Sequence, residues 1–512
     1  MTDAADTAVP RDSDLAFTED RIGAHPRGLY TLFFTEMWER FSYYGMRALL
    51  VLFMVDAVEN GGAAFTDRTA TAIYGLYTAA VYLVALPGGW IADRLLGAQQ
   101  SVLYGGIIIM SGHFVLAIPS MQAFFIGLLL VVIGTGLLKP NISAIVGELY
   151  SPDDARRDAG FTIFYMGINL GAFLGPLVCS TLGESDRFGW HYGFAAAGVG
   201  MLFGIVQYQL TRRHLGNAGA RAHHKDDSDV GGGFEKGWIG VGAGMLLIVL
   251  VTFLALTGVI RFNAPALATK TTWAIMIIAV CYFAYMFLLA GMDTAEKKRF
   301  VVIIVLFLAT AIFWAGFEQA GSTFNLFAER YTDRIVDTFA WEIPAGWFQS
   351  LNSFFIITLA PIYAAMWVAL ARRHLEPSTP FKFAFGLIFL GLGFVVMIFA
   401  AQLVAAGNSV VPTWLILTYL LHTMGELALS PVGLSSVTKL APRRFVSQMM
   451  GVWFLGTALG NLIAGLIAGQ FDHDAVAEMP DLYLQVVLMT VGSGLLLLVF
   501  VKPIRKLMGG VH

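Results

Sequence analysis

The chain has 512 residues, 57% of them hydrophobic and only 13% charged, with a formal net charge of −3 and a mean hydropathy of +0.70. Soluble domains carry roughly 25% charged residues, so a soluble globular protein is excluded and a polytopic membrane protein is indicated. The near-neutral balance gives no signal for nucleic acid, and no CxxC, HExxH or Walker-type phosphate loop occurs.

Residues 1–27 are polar and lack an apolar core, so they read as a tail rather than a cleavable signal peptide. A spanning helix needs about 20 mostly apolar residues. Such stretches fall at 28–57, 69–97, 101–118, 122–150, 156–182 and 190–212, then at 238–259 and 271–291. A further six follow at 299–328, 341–372, 380–404, 411–440, 446–470 and 482–502. Between 213 and 237 the chain is hydrophilic and contains Gly231-Gly232-Gly233, which suits a linker. Lysine and arginine concentrate in the loops after the even-numbered segments. The loops after odd-numbered segments hold only Arg68, Arg187, Arg261, Lys270, Arg330 and Arg334. The positive-inside rule therefore puts the even side and both termini in the cytoplasm.

The chain also repeats itself. Gly167-Ile168-Asn169-Leu170-Gly171 resembles Gly456-Thr457-Ala458-Leu459-Gly460, and Phe41 with Gly45 resembles Phe317 with Gly321. This predicts an all-α integral membrane protein of the major facilitator kind, with two six-helix bundles and fourteen transmembrane helices. The expected divisions are a cytoplasmic tail 1–27, an N-terminal bundle 28–212, a cytoplasmic linker 213–237, an inserted helix pair 238–291 and a C-terminal bundle 299–506. The pair lies outside the repeat, and an accessory, lipid-facing role is the plain expectation for it.

Charge inside a bilayer costs about 2.5–3.5 kcal/mol per group on insertion scales and usually marks a substrate or ion pathway. The spans contain Glu36, Glu39, Arg40 and Arg47 in the first, Lys139 in the fourth, Glu318 in the ninth and Glu426 in the twelfth. Positions 36, 39, 40, 43 and 47 step by three or four and share one helix face. A self-neutralising patch that only glues helices together would look similar. Against that, the remaining charges sit on repeat-related helices, so Arg47 can meet Glu318 and Lys139 can meet Glu426 across the seam between halves. A cavity with Arg40 and Lys139 on one wall and Glu318 and Glu426 on the other would suit a zwitterion, since arginine forks onto carboxylates. Tyr43, Tyr44, Tyr82, Trp314 and Trp453 can supply walls with a polar edge, although ordinary packing is the better explanation of each aromatic taken alone. Asn169 and Asn352 can contact substrate or a neighbouring helix. Cys179 and Cys281 read as small buried hydrophobes, and His113 and His422 as packed side chains. No Ser-His, Cys-His or metal-ligand grouping points to an enzyme or a metal site.

These blocks resemble a known family. Glu36-Met-Trp-Glu39-Arg40-Phe41-Ser-Tyr43-Tyr44-Gly45 is similar to the ExxERFxYYG motif of proton-dependent oligopeptide transporters, the POT or PTR family. Gly88–Gly97, Gly134–Asn141, Phe164–Gly171 and Phe313–Ser322 resemble that family's further motifs, in the same order. The resemblance implies a bacterial inner-membrane symporter that imports di- and tripeptides with protons by alternating access. It implies no cofactor beyond the coupling proton, no nucleic-acid partner and function as a monomer in lipid. Under it, Arg40 and Lys139 receive the peptide carboxylate, and Glu426 with Asn169 and Asn352 holds the amino terminus. Tyr43, Tyr44, Tyr82, Trp314 and Trp453 line side-chain pockets, and Glu36, Glu39 and Glu318 handle protons. Arg47–Glu318 and Lys139–Glu426 act as gating pairs. The chain departs from animal members, which carry a histidine in the second helix where this one reads Ile73-Tyr74-Gly75. Transport of another small anion or zwitterion such as nitrate is the alternative, and a non-transporting receptor a more distant one.

Overall fold

Each of the fourteen apolar segments contains a helix. The computed structural model describes residues 21–151, 154, 156–220, 230–336, 341–471 and 473–509; residues 1–20 of the expected tail and 221–229 of the expected linker lie outside it. The helices are α1 (Arg27–Val55), α2 (Asp67–Ile91), α3 (Ala98–Leu116), α4 (Met121–Glu148), α5 (Arg157–Gly183) and α6 (Trp190–Thr211). Then come α7 (Val230–Leu256) and α8 (Ala264–Leu288), followed by α9 (Thr294–Phe317), α10 (Thr323–Tyr331), α11 (Ser350–Arg372), α12 (Thr379–Ala405), α13 (Thr413–Leu440), α14 (Val446–Ala468) and α15 (Met479–Met508). A few helix starts are marked by side chains that take up free amides. Thr66 caps α2 and Asn263 caps α8, while Asp293 and Glu296 form a reciprocal capping box on α9.

Among the described residues, twelve spans, with α9–α10 counted as one, are long and apolar enough to cross a membrane. The exceptions among the long helices are α1, which carries Glu36, Glu39, Arg40 and Arg47 within its apolar stretch, and α3, whose first turn holds Gln99, Gln100 and Ser101. Lipid does not have to accommodate the charges of α1, because that helix is covered by protein. Glu36, Glu39, Arg40 and Arg47 are buried, as are Leu49, Leu50, Leu52 and Phe53 on its remaining faces.

The packing obeys the internal repeat. In the first half α1 packs on α5 and α6, α3 on α4 and α6, and α2 on α4. In the second, α9 packs on α14 and α15, α12 on α13 and α15, and α11 on α13. The repeated glycines explain the first pair. A Cβ at Gly171 would stand 2.1 Å from the Met37 carbonyl oxygen, and one at Gly460 would stand 2.6 Å from the Trp314 Cβ. Each glycine thus lets its helix press against the first helix of its own half. The two halves meet along α2–α14 and α5–α11.

Three segments differ from their hydropathy outlines. The ninth is not one helix: between α9 and α10 the chain tightens into a 3-10 turn at Glu318–Gly321. Gly321 lies against α2, where any Cβ would come within 2.1 Å of the Tyr74 hydroxyl. The Ala320 carbonyl freed by this break accepts from the Tyr419 hydroxyl at 3.3 Å. The tenth begins with a short strand at Trp341–Glu342 and a 3-10 turn at Ala345–Gln349 before α11 starts. And α7 begins at Val230, inside the stretch read as linker, with its glycines in the first turn, where helix-breaking residues cost least.

The inserted helices behave differently from one another. Many α7 side chains, such as Ile239, Leu246 and Phe253, are exposed. By contrast, α8 lies on the seam, against both α2 and α14. Its buried stripe of Ala268, Thr272, Ile275 and Ala279 faces that seam. Cys281 turns away from it and is exposed, contrary to the expectation of burial, whereas Cys179 is buried beside Gly45.

Candidate functional site

Chain topology puts the start of α1 and the end of α15 on one face, called here the terminal face, and the α1–α2, α5–α6 and α10–α11 connections on the opposite, distal face. The predicted site residues lie on helices that converge between these faces.

On α1 the helical spacing gathers a charged cluster. The Arg40 guanidinium pairs with Glu36 Oε1 at 3.0 Å and with Glu39, and it lies 5.3 Å from the Tyr43 ring centroid. Lys139 on α4 faces the same cluster, in the field of Arg40, Glu39 and Glu36, with its ammonium 4.2 Å above the ring of Tyr82. Glu36, Glu39, Arg40 and Lys139 therefore form one group within the first half. The aromatic floor is broader than the sequence indicated. Tyr43 meets Tyr44 edge-on at 5.3 Å and stacks with Tyr77 at 6.3 Å. Tyr77 had no distinguishing mark in the sequence beyond lying one turn from Tyr74 on α2.

On the second half, Asn352 of α11 donates to Glu426 Oε2 at 2.9 Å and to Thr423 Oγ1 at 3.1 Å. This orients the carboxylate of α13. The two halves come together around Tyr44, which stands in the field of Arg47, Arg40, Glu318 and Glu426. Asn169 donates to its own helix at the Tyr165 carbonyl and makes no described bond to the second half. Trp314 packs against Phe313 and Phe317, and Trp453 against Phe383 and the bare face of Gly433. His422 sits among Phe317, Phe324 and Phe394, and His113 is fully buried.

The two gating pairs read from the sequence differ in state. Arg47 Nη2 meets Glu318 Oε2 at 2.9 Å, with both side chains nearly fully buried. The 3-10 turn that ends α9 is what presents Glu318 to α1. Arg47 also lies over the rings of Tyr44 and Tyr74, at 5.5 and 5.7 Å. Lys139 and Glu426, in contrast, do not form an ion pair: Lys139 is held on Tyr82 and Glu426 on Asn352.

More ties cross between the halves toward the distal face, none of them visible in the order of residues along the chain. Arg330 of α10 forks onto Asp67 of α2 at 2.6 and 2.9 Å. Asn325 of α10 donates to the Ala48 carbonyl of α1 at 2.7 Å. Trp347 and Ser350 donate to the Leu177 and Phe173 carbonyls of α5. These partners are more than a hundred residues apart, and only the fold brings them together. A cavity of about 720 Å³ opens beside these ties, among residues of the α1–α2, α5–α6 and α10–α11 connections. It is separate from the Arg40–Lys139 group.

Position 75 has a physical explanation. A Cβ on Gly75 would stand 3.1 Å from the Asn461 carbonyl and 3.2 Å from Gly465 Cα, so α2 and α14 touch backbone to backbone there. A histidine does not fit at that contact. Its neighbour Tyr74 occupies the space beneath Arg47 instead. Among the described residues no cluster of three or more His, Cys, Asp or Glu side chains is placed to hold a metal ion.

Known proteins agree with this arrangement. The sequence profile of the POT family (PTR2) matches residues 99–482. The chain is 42% identical to the peptide transporter YePEPT of Yersinia enterocolitica, over 95% of this chain and 96% of that protein. It is 37% identical to a di-/tripeptide transporter of Lactococcus lactis subsp. cremoris, over 97% and 99% of the respective chains. Among solved structures, a peptide transporter POT in complex with sulfate superposes with a TM-score of 0.88 at 40% identity, covering 98% of this chain and all of that one. A POT family transporter in complex with a thioalcohol-conjugated peptide gives 0.86 at 32% identity, covering 96% of this chain and 99% of the other. With a family profile spanning most of the sequence, curated relatives matched nearly end to end and the same helical architecture, this chain is a member of the POT family of transporters.

Proposed function

We propose that the protein is a proton-coupled symporter that brings di- and tripeptides across a bacterial cytoplasmic membrane by alternating access. Both termini are cytoplasmic, the transporter works as a monomer, and the proton is its only coupling partner. The observation that carries this reading is the placement of basic groups on one half opposite a carboxylate on the other, with Glu36 and Glu39 paired to Arg40 within the first half. Arg40 and Lys139 belong to one half and the Asn352-oriented carboxylate of Glu426 to the other, while Tyr44 stands in the field of both Arg40 and Glu426. That polarity matches a zwitterion with a carboxylate at one end and an ammonium at the other. Relatives named as peptide and di-/tripeptide transporters support the substrate class.

In the cycle, Arg40 and Lys139 take the peptide carboxylate, and Glu426 with Asn169 and Asn352 takes the amino terminus. Tyr43, Tyr44, Tyr82, Trp314 and Trp453 receive the side chains. The described state, tied at the distal face and unpaired at Lys139–Glu426, faces the cytoplasm. Protonation of Glu318 releases Arg47 and lets the distal side open. Glu36 and Glu39 share the proton handling around Arg40. Peptide and proton drive the cycle only through their different affinities for the two states, and the membrane potential adds about 2.3 kcal/mol per proton per 100 mV.

Competition against a labelled dipeptide tests the substrate reading. Dialanine should displace the label, and its N-acetyl and C-terminal amide derivatives should each bind at least tenfold more weakly, since each removes one charged end. Equal competition by all three contradicts zwitterion recognition. Tight competition by nitrate instead favours the anion reading.

A further inference from the structure

We propose that Glu184 is a distal gate residue, tying the end of α5 to the turn ahead of α11, and that protonation from the distal side controls how firmly this tie holds. Glu184 follows the last residue of α5. Its carboxylate accepts the backbone N–H of Gly346 at 2.9 Å and that of Ala345 at 2.5 Å, one on each oxygen. These bonds join the two halves at a site separate from Arg47–Glu318.

The contact is built for close approach. Any Cβ on Gly346 would lie 2.0 Å from Ser180 Oγ and 3.0 Å from Glu184 Oε1. Glycine is therefore what allows the turn to come down onto the carboxylate. Ser180, one turn earlier on α5, is fully buried, and its hydroxyl has no described partner. It stands in the same small space as an acceptor for a protonated Glu184.

Protons can reach the carboxylate, because Glu184 lines the 720 Å³ distal cavity. Charged groups face it from each neighbouring element. Asp56 and Glu59 come from the α1–α2 connection and Asp186 from the α5–α6 loop. Glu329 and Arg330 come from α10, and Arg334 and Glu342 from the segment beyond it. Burial pushes the Glu184 carboxyl up to about 7; the Gly346 amide opposes this, Glu329 adds to it, and the Ala345 amide and Arg334 oppose it. Once the halves part, the group meets water and returns toward an ordinary carboxylate value. A group with the higher value in the closed state binds its proton more readily there. Closure is therefore favoured at acid pH, and that bias is lost as pH rises through about 7.

The proposal rests on the alternating-access reading, but its test needs neither peptide nor gradient, so a failure of peptide uptake leaves it standing. Spin labels on Arg187→Cys and Ile335→Cys, in a Cys281→Ser background, report the distal separation in nanodiscs from pH 5 to pH 8. The closed population should fall as pH rises, by up to tenfold per unit within the titrating window. Glu184→Gln, fixed in the neutral form, should flatten that dependence. Gly346→Ala, which leaves every ionisable group in place, should lower the closed population at all pH values. An unaltered pH profile in Glu184→Gln or an unchanged closed population in Gly346→Ala overturns the proposal. If Glu184→Gln fails to fold, Gly346→Ala decides.

Discussion

The buried pair Arg47–Glu318 sets the energetic scale at the level of single residues. Removing one partner of a buried ion pair leaves an uncompensated charge and costs about 3–5 kcal/mol, whereas replacing both by apolar groups is often neutral. Glu318→Ala should therefore lower the melting temperature in detergent, and the double variant Arg47→Met with Glu318→Leu should recover most of the loss. A double variant no more stable than the single one means the pair is not a closed electrostatic unit. Glu318→Gln is a milder change and separates coupling from binding. It should retain peptide counterflow while losing accumulation driven by a proton gradient; full accumulation removes Glu318 from the coupling role. Asp67–Arg330 is more exposed, and a part-solvated pair contributes only about 1 kcal/mol. Asp67→Asn should shift the distal closed population by no more than roughly fivefold, read with the same pair of spin labels.

At the level of elements, the seam between halves depends on small residues. Gly75 on α2 and Gly465 on α14 bring two backbones into contact. Overpacking such a contact costs about 1–3 kcal/mol. Gly465→Leu should thus lower thermal stability and slow transport together, as measured by a melting curve and dipeptide uptake. An unchanged protein means the α2–α14 contact does not hold the halves. These elements also show what a sequence can reveal. Long apolar runs located each span, because lipid imposes a length and a polarity on every one of them. The charges of α1 were legible as one face because helical spacing is local, and the repeat-related glycines lie where α5 meets α1 and α14 meets α9. The break at Glu318–Gly321 was not legible. It sits against Tyr74, far away in sequence, whose hydroxyl occupies the space beside Gly321. The ties Asp67–Arg330, Asn325–Ala48 and Glu184–Gly346 were hidden for the same reason. Nor did the apolar runs reveal that α8 lies on the α2–α14 seam, since apolar residues suit lipid and seam alike.

For the whole molecule, the described state is asymmetric. The distal face is tied by Arg47–Glu318, Arg330–Asp67 and Asn325–Ala48, while Lys139 and Glu426 are apart. Under the proposed alternating access, the partner state should show the opposite pattern, with Lys139 meeting Glu426 and the distal ties released. The proton is what should make that exchange directional. The most direct test is uptake of labelled dialanine into proteoliposomes of the purified protein, with and without an inward proton gradient. Label should accumulate above the external concentration when the gradient is present, and only equilibrate when it is collapsed by a protonophore. Uptake that is indifferent to the gradient contradicts proton coupling.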